Sequence, residues 1–211
     1  MPLISDSAEP FGGRLLLWQL DDKETYPETL KNAADKLLNG IVHPLRITQR
    51  LATCALLNLL SPATLASLWY DEHGKPWIRD PNGHISISHS EKIAGLYFHP
   101  ATAVGIDIEE PHPRITKVAP RFLHPEKESW ATSDHHLLQI WSAKEAVFKA
   151  IGGGGIHFKE DLHVEHPDSS GFGKVHYQGH MGNRVFKAAY RDLEGALLVY
   201  TIAEEAAEDL S

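Results

Sequence analysis

The sequence of 211 residues predicts an α+β protein, because segments with strand periodicity are grouped by region and helical segments lie between the groups. Residues 84–90 alternate strictly between apolar or histidine side chains and serines, as a strand with two different faces does. Residues 44–60 and 134–151 instead carry apolar residues at helical spacing. This grouping argues against a parallel doubly wound sheet, in which strands and helices alternate one by one.

The first part of the chain is predicted to form a strand followed by two helices. Arg14–Leu20 is apolar enough for a strand. A helix over Glu28–Leu38 is expected to end at Asn39-Gly40, a pair that is typical of helix C-termini. A second helix over Pro44–Leu60 is expected to end at Ser61-Pro62, since the residue before a proline disfavours helical geometry.

The middle of the chain is predicted to be a run of strands. Segments 84–90, 93–98 and 103–109 are separated by short turns, so we expect them to be neighbours in an antiparallel meander. The long helix over 134–151 is expected to end at the glycine run Gly152–Gly155. Further strands are predicted at Leu162–Glu165, Val175–Gln178, Val185–Tyr190 and Ala196–Ala203.

Composition excludes several classes of protein. Twenty basic and 28 acidic side chains give a net charge of −8, which disfavours broad binding to nucleic acid. Cys54 is the single cysteine, so no intrachain disulfide can form and a reducing cytoplasm is expected. No apolar run approaches the ~18–20 residues that span a bilayer, so we expect no membrane association.

The segment Val104-Gly-Ile-Asp-Ile-Glu109 is the first candidate for chemistry. In a strand, Asp107 and Glu109 share one face, and the apolar residues share the other. Paired carboxylates suit Mg²⁺, which takes one or two carboxylates from a protein and completes its shell with water and phosphate oxygens. We expect Gly105, on the same face, to leave room for a ligand. The alternative is an ordinary solvated strand face.

The segment Trp141-Ser-Ala-Lys-Glu-Ala-Val-Phe-Lys149 is the second candidate. On a helix, Lys144 falls in the centre of an apolar stripe, which is costly unless its ammonium reaches water or an anion. Ser142, Glu145 and Lys149 lie beside that stripe. A surface ion pair would explain Glu145 and Lys149 but leaves Lys144 without a role. The combination therefore also fits a phosphate and metal site.

Together and in this order, four motifs resemble the surfactin-type 4′-phosphopantetheinyl transferases. These are Gly74-Lys-Pro76, Ile85-Ser-Ile-Ser-His-Ser90 and the two segments just described. The resemblance implies an α+β fold of two similar halves related by a pseudo-twofold axis, with the active site in the cleft between them. The halves would be residues 1–102, contributing to coenzyme A binding, and 103–211, carrying the metal-binding and catalytic motifs.

The resemblance also implies the reaction and its participants. Coenzyme A would donate its phosphopantetheine arm to a serine hydroxyl of an apo acyl carrier or peptidyl carrier protein, with release of adenosine 3′,5′-bisphosphate. This is a holo-[acyl-carrier-protein] synthase activity that depends on Mg²⁺, and a monomer is expected. Another Mg²⁺-dependent phosphate enzyme, such as a nucleotide hydrolase, and an inactive relative that only binds coenzyme A or carriers remain alternatives.

Residue roles follow from the same resemblance. Asp107, Glu109 and Glu145 would hold Mg²⁺, and Lys149 would neutralise the pyrophosphate. Either Glu145 or Glu126, in Phe122-Leu-His-Pro-Glu126, would take the serine proton. The residues implied in binding coenzyme A are Lys75, Ser88, His89, Lys144 and Lys149, with His89 at the 3′-phosphate.

Two features depart from the family pattern. Cys54 stands where a basic residue is expected to meet a phosphate, which leaves Arg46 and Arg50 as substitutes. The acidic net charge does not favour long-range attraction of acidic carriers, so docking is expected through a local patch. That patch would comprise Arg114, Lys117, Arg121 and Phe122.

Overall fold

The computed structural model describes residues 2–21, 23–38, 40–79 and 82–204. The chain divides into two compact units, Met1–Thr102 and Ala103–Ser211, called unit 1 and unit 2 below. Each unit contains helices and a sheet whose described strands pair antiparallel. The sequence predicts an α+β protein, and the combination of helices with sheets that this class requires is confirmed in both units. None of the described helices is long and apolar enough to cross a membrane.

Unit 1 follows the predicted order of elements. Its described elements are β1 (Leu3–Ala8), β2 (Arg14–Gln19), α1 (Glu28–Leu38), α2 (Pro44–Leu60), α3 (Pro62–Ser67), β3 (Trp69–Tyr70), β4 (Pro76–Trp77), β5 (His84–His89) and β6 (Ile93–His99). The strand β2 and the two long helices are confirmed; Asn39, in the expected end of α1, lies outside the described residues. Strands β1, β3 and β4 and helix α3 were not predicted. Helix α3 begins because the Ser61 hydroxyl accepts the Thr64 N–H at 3.1 Å, so Ser61 ends one helix and caps the next.

The core of unit 1 lies between α2 and a sheet. Over the described residues, this sheet has four strands in the order β1-β2-β6-β5. Leu56 and Leu57 of α2 are fully buried against apolar strand residues such as Leu16 and Leu96. On β5, however, Ser86 and Ser88 are buried as well as Ile85, so the alternation in sequence does not mark a solvent-facing side.

Unit 2 is built around one long helix. Its described elements are β7 (Val104–Glu109), α4 (Ile115–Val118), a 3₁₀ turn (Ala119–Arg121), α5 (Asp134–Ile151), β8 (Leu162–Val164), β9 (Phe172–Gly179), β10 (Gly182–Leu193) and β11 (Ala196–Ala203). The strands form a five-stranded sheet in the order β7-β11-β10-β9-β8, as far as the structure describes the chain. Ile140 and Val147 of α5 are completely buried against Phe186 and Val199 of that sheet.

The predicted meander is only partly correct. Strands β5 and β6 pair as expected, but β7 pairs with β11 rather than with β6. The physical reason is that β7 opens unit 2, so its partner comes from the apolar strand that closes the same unit. Consecutive strands are neighbours in space only about two-thirds of the time, and this pair is an exception.

The two units share an internal plan. In unit 1, α2 packs against β2 and β6, and those two strands pair with each other. In unit 2, α5 packs against β7 and β11, which also form a pair. In both cases a strand near the start of the unit is joined to its last strand beneath a long helix. In unit 2 this arrangement brings both candidate motifs together.

Candidate active site

Strand β7 presents its acidic residues to helix α5. Val104, Ile106 and Ile108 alternate with Gly105, Asp107 and Glu109, so the latter three share a face. A Cβ placed on Gly105 would lie 1.7 Å from the carbonyl oxygen of Ala146, which shows that the α5 backbone rests directly on the strand. The expectation that Gly105 leaves room for a ligand is therefore wrong, because helix backbone fills that space.

Helix α5 is defined by strong signals at both ends. The Ser133 hydroxyl accepts the His136 N–H at 3.2 Å at the start of the helix. Gly152 adopts a left-handed φ of 71° at the end, and its N–H donates to the Phe148 carbonyl at 3.0 Å, as predicted for the first glycine of the run. Within these limits Trp141, Glu145 and Lys149 follow each other at four-residue spacing, on one side of the helix.

Three hydrogen bonds join this side of α5 to the carboxylates of β7. Lys149 Nζ donates to Asp107 Oδ1 at 2.7 Å, and the Ser142 hydroxyl donates to Asp107 Oδ2 at 2.7 Å. Trp141 Nε1 donates to Glu109 Oε1 at 2.9 Å. The strand and the helix motif are thus one site in unit 2, with Asp107 only 3 % exposed at its centre.

The acidic groups of this site act on one another electrostatically. Burial and then the charge of Asp107 raise the pKa of Glu145 to about 7, with a smaller increase from Glu109 and an opposing effect of Lys149. The pKa of Glu109 is also raised, first by burial and then by Asp107. A partly buried cluster of acids with these shifts is typical of functional sites.

The donor chemistry of this cluster suits Mg²⁺, although no three-ligand cage is preformed. Among the residues that the structure describes, no group of three acidic, histidine or cysteine side chains is arranged to hold a metal ion. Mg²⁺ needs only one or two carboxylates when phosphate oxygens and water complete its shell. Asp107 and Glu109 supply oxygen donors, and the raised pKa of Glu145 shows that its carboxylate lies in their field. A divalent cation would relieve that repulsion.

Lys144 has a different role from the one expected. Its side chain is fully buried, and its ammonium donates to Glu128 and to the carbonyl oxygens of Phe122 and Phe158, at 2.6–3.0 Å. The three N–H groups of the ammonium are therefore satisfied inside unit 2. The expectation that Lys144 contacts coenzyme A is corrected accordingly: the anion that it needs in the apolar stripe is Glu128.

Sequence reasoning missed Glu128. Its carboxylate also accepts the N–H groups of His124 and Val164, at 2.7 and 3.0 Å, and so links three segments of unit 2. Glu126, two residues earlier, is exposed. The available signal was a lysine in an apolar stripe, which demands a buried acid, but the sequence does not say which acid lies beside it.

The residues expected to bind phosphate in unit 1 lie on several of its elements. Lys75 is in the turn between β3 and β4, with its ammonium 4.9 Å from the centre of the Trp77 ring, and burial lowers its pKa. Ser88 and His89 are at the end of β5, where Ser88 is 5 % exposed. His89 Nε2 lies 2.8 Å from the hydroxyl of Thr53 on α2, a partner that no pattern in the sequence identifies.

The candidate substitutes for a basic residue at position 54 differ in their surroundings. Arg50 donates a hydrogen bond to the Tyr70 hydroxyl and its guanidinium stacks 5.3 Å from that ring, whereas Arg46 is exposed. Cys54 itself is fully buried, and burial raises the pKa of its thiol to about 11. Position 54 therefore faces the core of unit 1.

Three of the four residues of the expected docking patch are exposed, and the fourth is buried. Arg114, Lys117 and Arg121 are exposed along α4 and the 3₁₀ turn. Phe122 is only 1 % exposed and packs in the core of unit 2, with its ring centre 5.3 Å from that of Trp141. Phe122 is therefore removed from the patch, because its ring serves the core and the site helix.

Comparisons with known proteins find a family match for part of the chain. A comparison with curated proteins finds no match. Among solved structures, holo-[acyl-carrier-protein] synthase (AcpS) from Neisseria meningitidis aligns with 24 % identity over 49 % of this chain and 98 % of that chain, with a TM-score of 0.39. Residues 103–196 match the model of the 4′-phosphopantetheinyl transferase superfamily, and this segment contains β7, α5 and the site that they form. The predicted resemblance to this superfamily is thus confirmed for residues 103–196, which make up most of unit 2.

Proposed function

We propose that the protein transfers the 4′-phosphopantetheine arm of coenzyme A to a serine hydroxyl of an apo acyl carrier or peptidyl carrier protein, in a reaction that depends on Mg²⁺. The observation that carries this proposal is the single site formed by the acids of β7 with Glu145 and Lys149 of α5. That site lies inside the segment that matches the superfamily. Residues 1–102 are proposed to contribute contacts to coenzyme A, and residues 103–211 to carry the metal ligands and catalytic groups.

The proposed reaction displaces one phosphate from another. The serine oxygen of the carrier bonds to the phosphorus that bears the pantetheine arm, and the bond from that phosphorus to the bridging oxygen breaks. Adenosine 3′,5′-bisphosphate leaves with the bridging oxygen and its electron pair. Such a transfer requires charge neutralisation and alignment more than covalent help from the protein.

Each group at the site has a task in that transfer. Asp107, Glu109 and Glu145 are the proposed ligands of Mg²⁺, which supplies charge neutralisation to the pyrophosphate when bound. Lys149, which lies 2.7 Å from Asp107, is proposed to add a second positive charge. Its partial exposure of 28 % leaves the ammonium accessible to a phosphate oxygen.

A carboxylate is proposed to take the proton of the serine hydroxyl. Glu145 is the first candidate, because its carboxylate lies among the charged groups of the site, close enough to Asp107, Glu109 and Lys149 for their charges to act on it. Glu126 is the second candidate, because it is exposed on the loop that precedes α5. The proton released from serine would then reside on one of these two carboxylates.

Unit 1 and the basic surface of unit 2 are proposed to bind the two substrates. Lys75, Ser88, His89 and Arg50 are the proposed contacts to the phosphates of coenzyme A; Lys144 is not included because its ammonium is fully engaged by the protein. Arg114, Lys117 and Arg121 are exposed and are proposed to meet an acidic carrier.

The decisive experiment measures the mass of the carrier. The protein is incubated with coenzyme A, Mg²⁺ and a panel of apo carriers of fatty-acid and peptide-synthetase types, with a chelator control. We expect one or more carriers to gain about 340 Da, the mass of the transferred arm. Unchanged carriers throughout the panel would contradict the proposal; phosphate release from nucleotides without a carrier would favour a hydrolase, and coenzyme A binding without turnover a binding protein.

A further inference from the structure

We propose that Trp141 and Ser142 are positioning residues that hold Glu109 and Asp107 in the orientation a divalent cation requires. This inference rests on the proposed function, since it assigns roles toward the same metal-binding carboxylates. The two residues are consecutive on α5, and each donates one hydrogen bond to a different carboxylate of β7. The first two positions of the helix motif thus act on the two acids of the strand motif.

The chemistry of the donors fits this role. An indole N–H can only donate, and an ionised carboxylate can only accept, so the Trp141 bond at 2.9 Å favours the charged form of Glu109. The Ser142 hydroxyl donates to Asp107 at 2.7 Å and is fully buried, so water does not compete for it. The two oxygens of an ionised carboxylate carry about four lone pairs between them, so the bonds from Ser142 and Lys149 do not by themselves exclude a cation from Asp107.

Packing around α5 fixes the positions of the Trp141 and Ser142 donors. The Trp141 ring lies 5.3 Å from the Phe122 ring and 5.6 Å from the Phe158 ring, measured between ring centres. The spacing of helix and strand is fixed because Gly105 allows the Ala146 carbonyl to approach β7 closely. Metal sites commonly contain hydrogen-bond donors of this kind. They do not bind the metal themselves but fix the orientation of the side chains that do.

The test removes each hydrogen bond separately and measures binding of Mn²⁺, a spectroscopic substitute for Mg²⁺. Trp141→Phe keeps a ring between Phe122 and Phe158 but deletes the N–H, and Ser142→Ala deletes the hydroxyl. Titration of Mn²⁺ followed by electron paramagnetic resonance, in the presence of coenzyme A, should show a Kd raised about 10- to 100-fold for each variant. Ser142→Thr, which retains a hydroxyl, should recover a large part of the affinity.

Two matched controls lie in the same unit. Trp130→Phe removes an indole N–H that donates to the Val164 carbonyl and touches neither carboxylate. Thr201→Val removes a fully buried hydroxyl that has no hydrogen-bond partner among the described residues. Both should bind Mn²⁺ within about twofold of the unsubstituted protein, since the deleted groups form no hydrogen bond with Asp107 or Glu109.

A positioning role also predicts how turnover responds to metal. The rates of Trp141→Phe and Ser142→Ala should recover at high Mg²⁺, whereas a general loss of structure would lower them at every Mg²⁺ concentration. Unchanged Mn²⁺ affinity in both variants, with carriers still modified by the unsubstituted protein, overturns the inference and leaves the proposed function intact. Carriers left unmodified by the unsubstituted protein contradict the proposed function instead.

Discussion

The ammonium of Lys144 is the group whose removal we expect to cost unit 2 the most stability. It forms a 2.7 Å ion pair with Glu128, and both side chains are fully buried. Removing one partner of such a pair leaves the other charge without compensation, at a cost of roughly 3–5 kcal/mol. Lys144→Met should therefore lower the free energy of unfolding, measured with urea, by about that amount.

The control for this variant is Lys187→Met, which replaces an exposed lysine of β10 and should change stability by less than about 0.5 kcal/mol. The double variant Lys144→Met, Glu128→Leu should recover only part of the loss. The N–H groups of His124 and Val164 that Glu128 accepts would then lack a partner. Equal stability of Lys144→Met and Lys187→Met would refute this account of the ion pair.

Asp107 is expected to combine a functional and a structural role. Asp107→Asn keeps the shape of the side chain but removes the charge that faces Lys149, so carrier modification should fall at least about 100-fold. The free energy of unfolding should fall too, because Asp107 is buried and accepts two hydrogen bonds from α5. Initial rates and urea denaturation measure the two effects. Glu194→Gln, at an exposed acid of the same unit, is the control, and comparable rates in both variants would argue against Asp107 as a ligand.

The sequence predicts which residues carry the chemistry better than it predicts what supports them. Asp107 and Lys149 could be singled out because their motifs combine charges with apolar spacing, and the structure joins them at 2.7 Å. Glu128 could not be assigned to Lys144, because the two are separated by a loop whose path is not encoded in any local period. The bond from Ser142 to Asp107 likewise depends on how closely the helix approaches the strand.

The contact between β7 and α5 makes Gly105 a sensitive position. A methyl group there would lie 1.7 Å from the Ala146 carbonyl oxygen, so the strand and the helix would have to separate. Overpacking of this kind costs about 1–3 kcal/mol. Gly105→Ala should lower stability by at least that amount and reduce carrier modification, because the two elements carry opposite parts of the site.

Gly154→Ala provides the comparison for that variant, because an added Cβ at Gly154 meets nothing within 4 Å. It should leave both the urea midpoint and the rate of carrier modification close to those of the unsubstituted protein. If Gly105→Ala behaved in the same way, the close approach of helix and strand would not matter to the site.

The sequence predicts where helices and strands begin and end better than it predicts which strands pair. The limits of α5 follow from Ser133 and Gly152, whose effects act within a few residues, and they match the predicted helix. The pairing of β7 with β11 joins segments about 90 residues apart, as in Asp107 opposite Val199, and no turn signal encodes it. Local chemistry therefore predicts where elements begin and end, while packing decides their neighbours.

The stability of the whole chain should depend on pH through His163. This residue is 7 % exposed, and burial together with the charges of Lys127 and Lys144 lowers its pKa to about 4. Between pH 6.5 and 4 the unfolded chain binds a proton at this histidine that the folded chain does not. Stability is therefore lost as the pH falls through this range, by up to roughly 3 kcal/mol.

The measurement compares the free energy of unfolding at several pH values for the unsubstituted protein and His163→Gln, which has no titrating group at this position. Glu145 acts in the opposite direction, because its raised pKa of about 7 makes the folded state bind a proton more readily. The difference between the two proteins isolates His163 from that contribution. If the free energy of unfolding changed with pH in the same way in both proteins, His163 would not be the source of the expected loss of stability.

The reactivity of Cys54 can be used to measure how often unit 1 opens. Because it is the single cysteine, is fully buried and has a thiol pKa of about 11, it presents almost no thiolate to a reagent at neutral pH while unit 1 is closed. Its rate of alkylation therefore follows how often the packing around α2 opens. A ligand that binds to closed unit 1 should lower the fraction of molecules in which this packing is open. The rate of Cys54 alkylation should fall by the same factor.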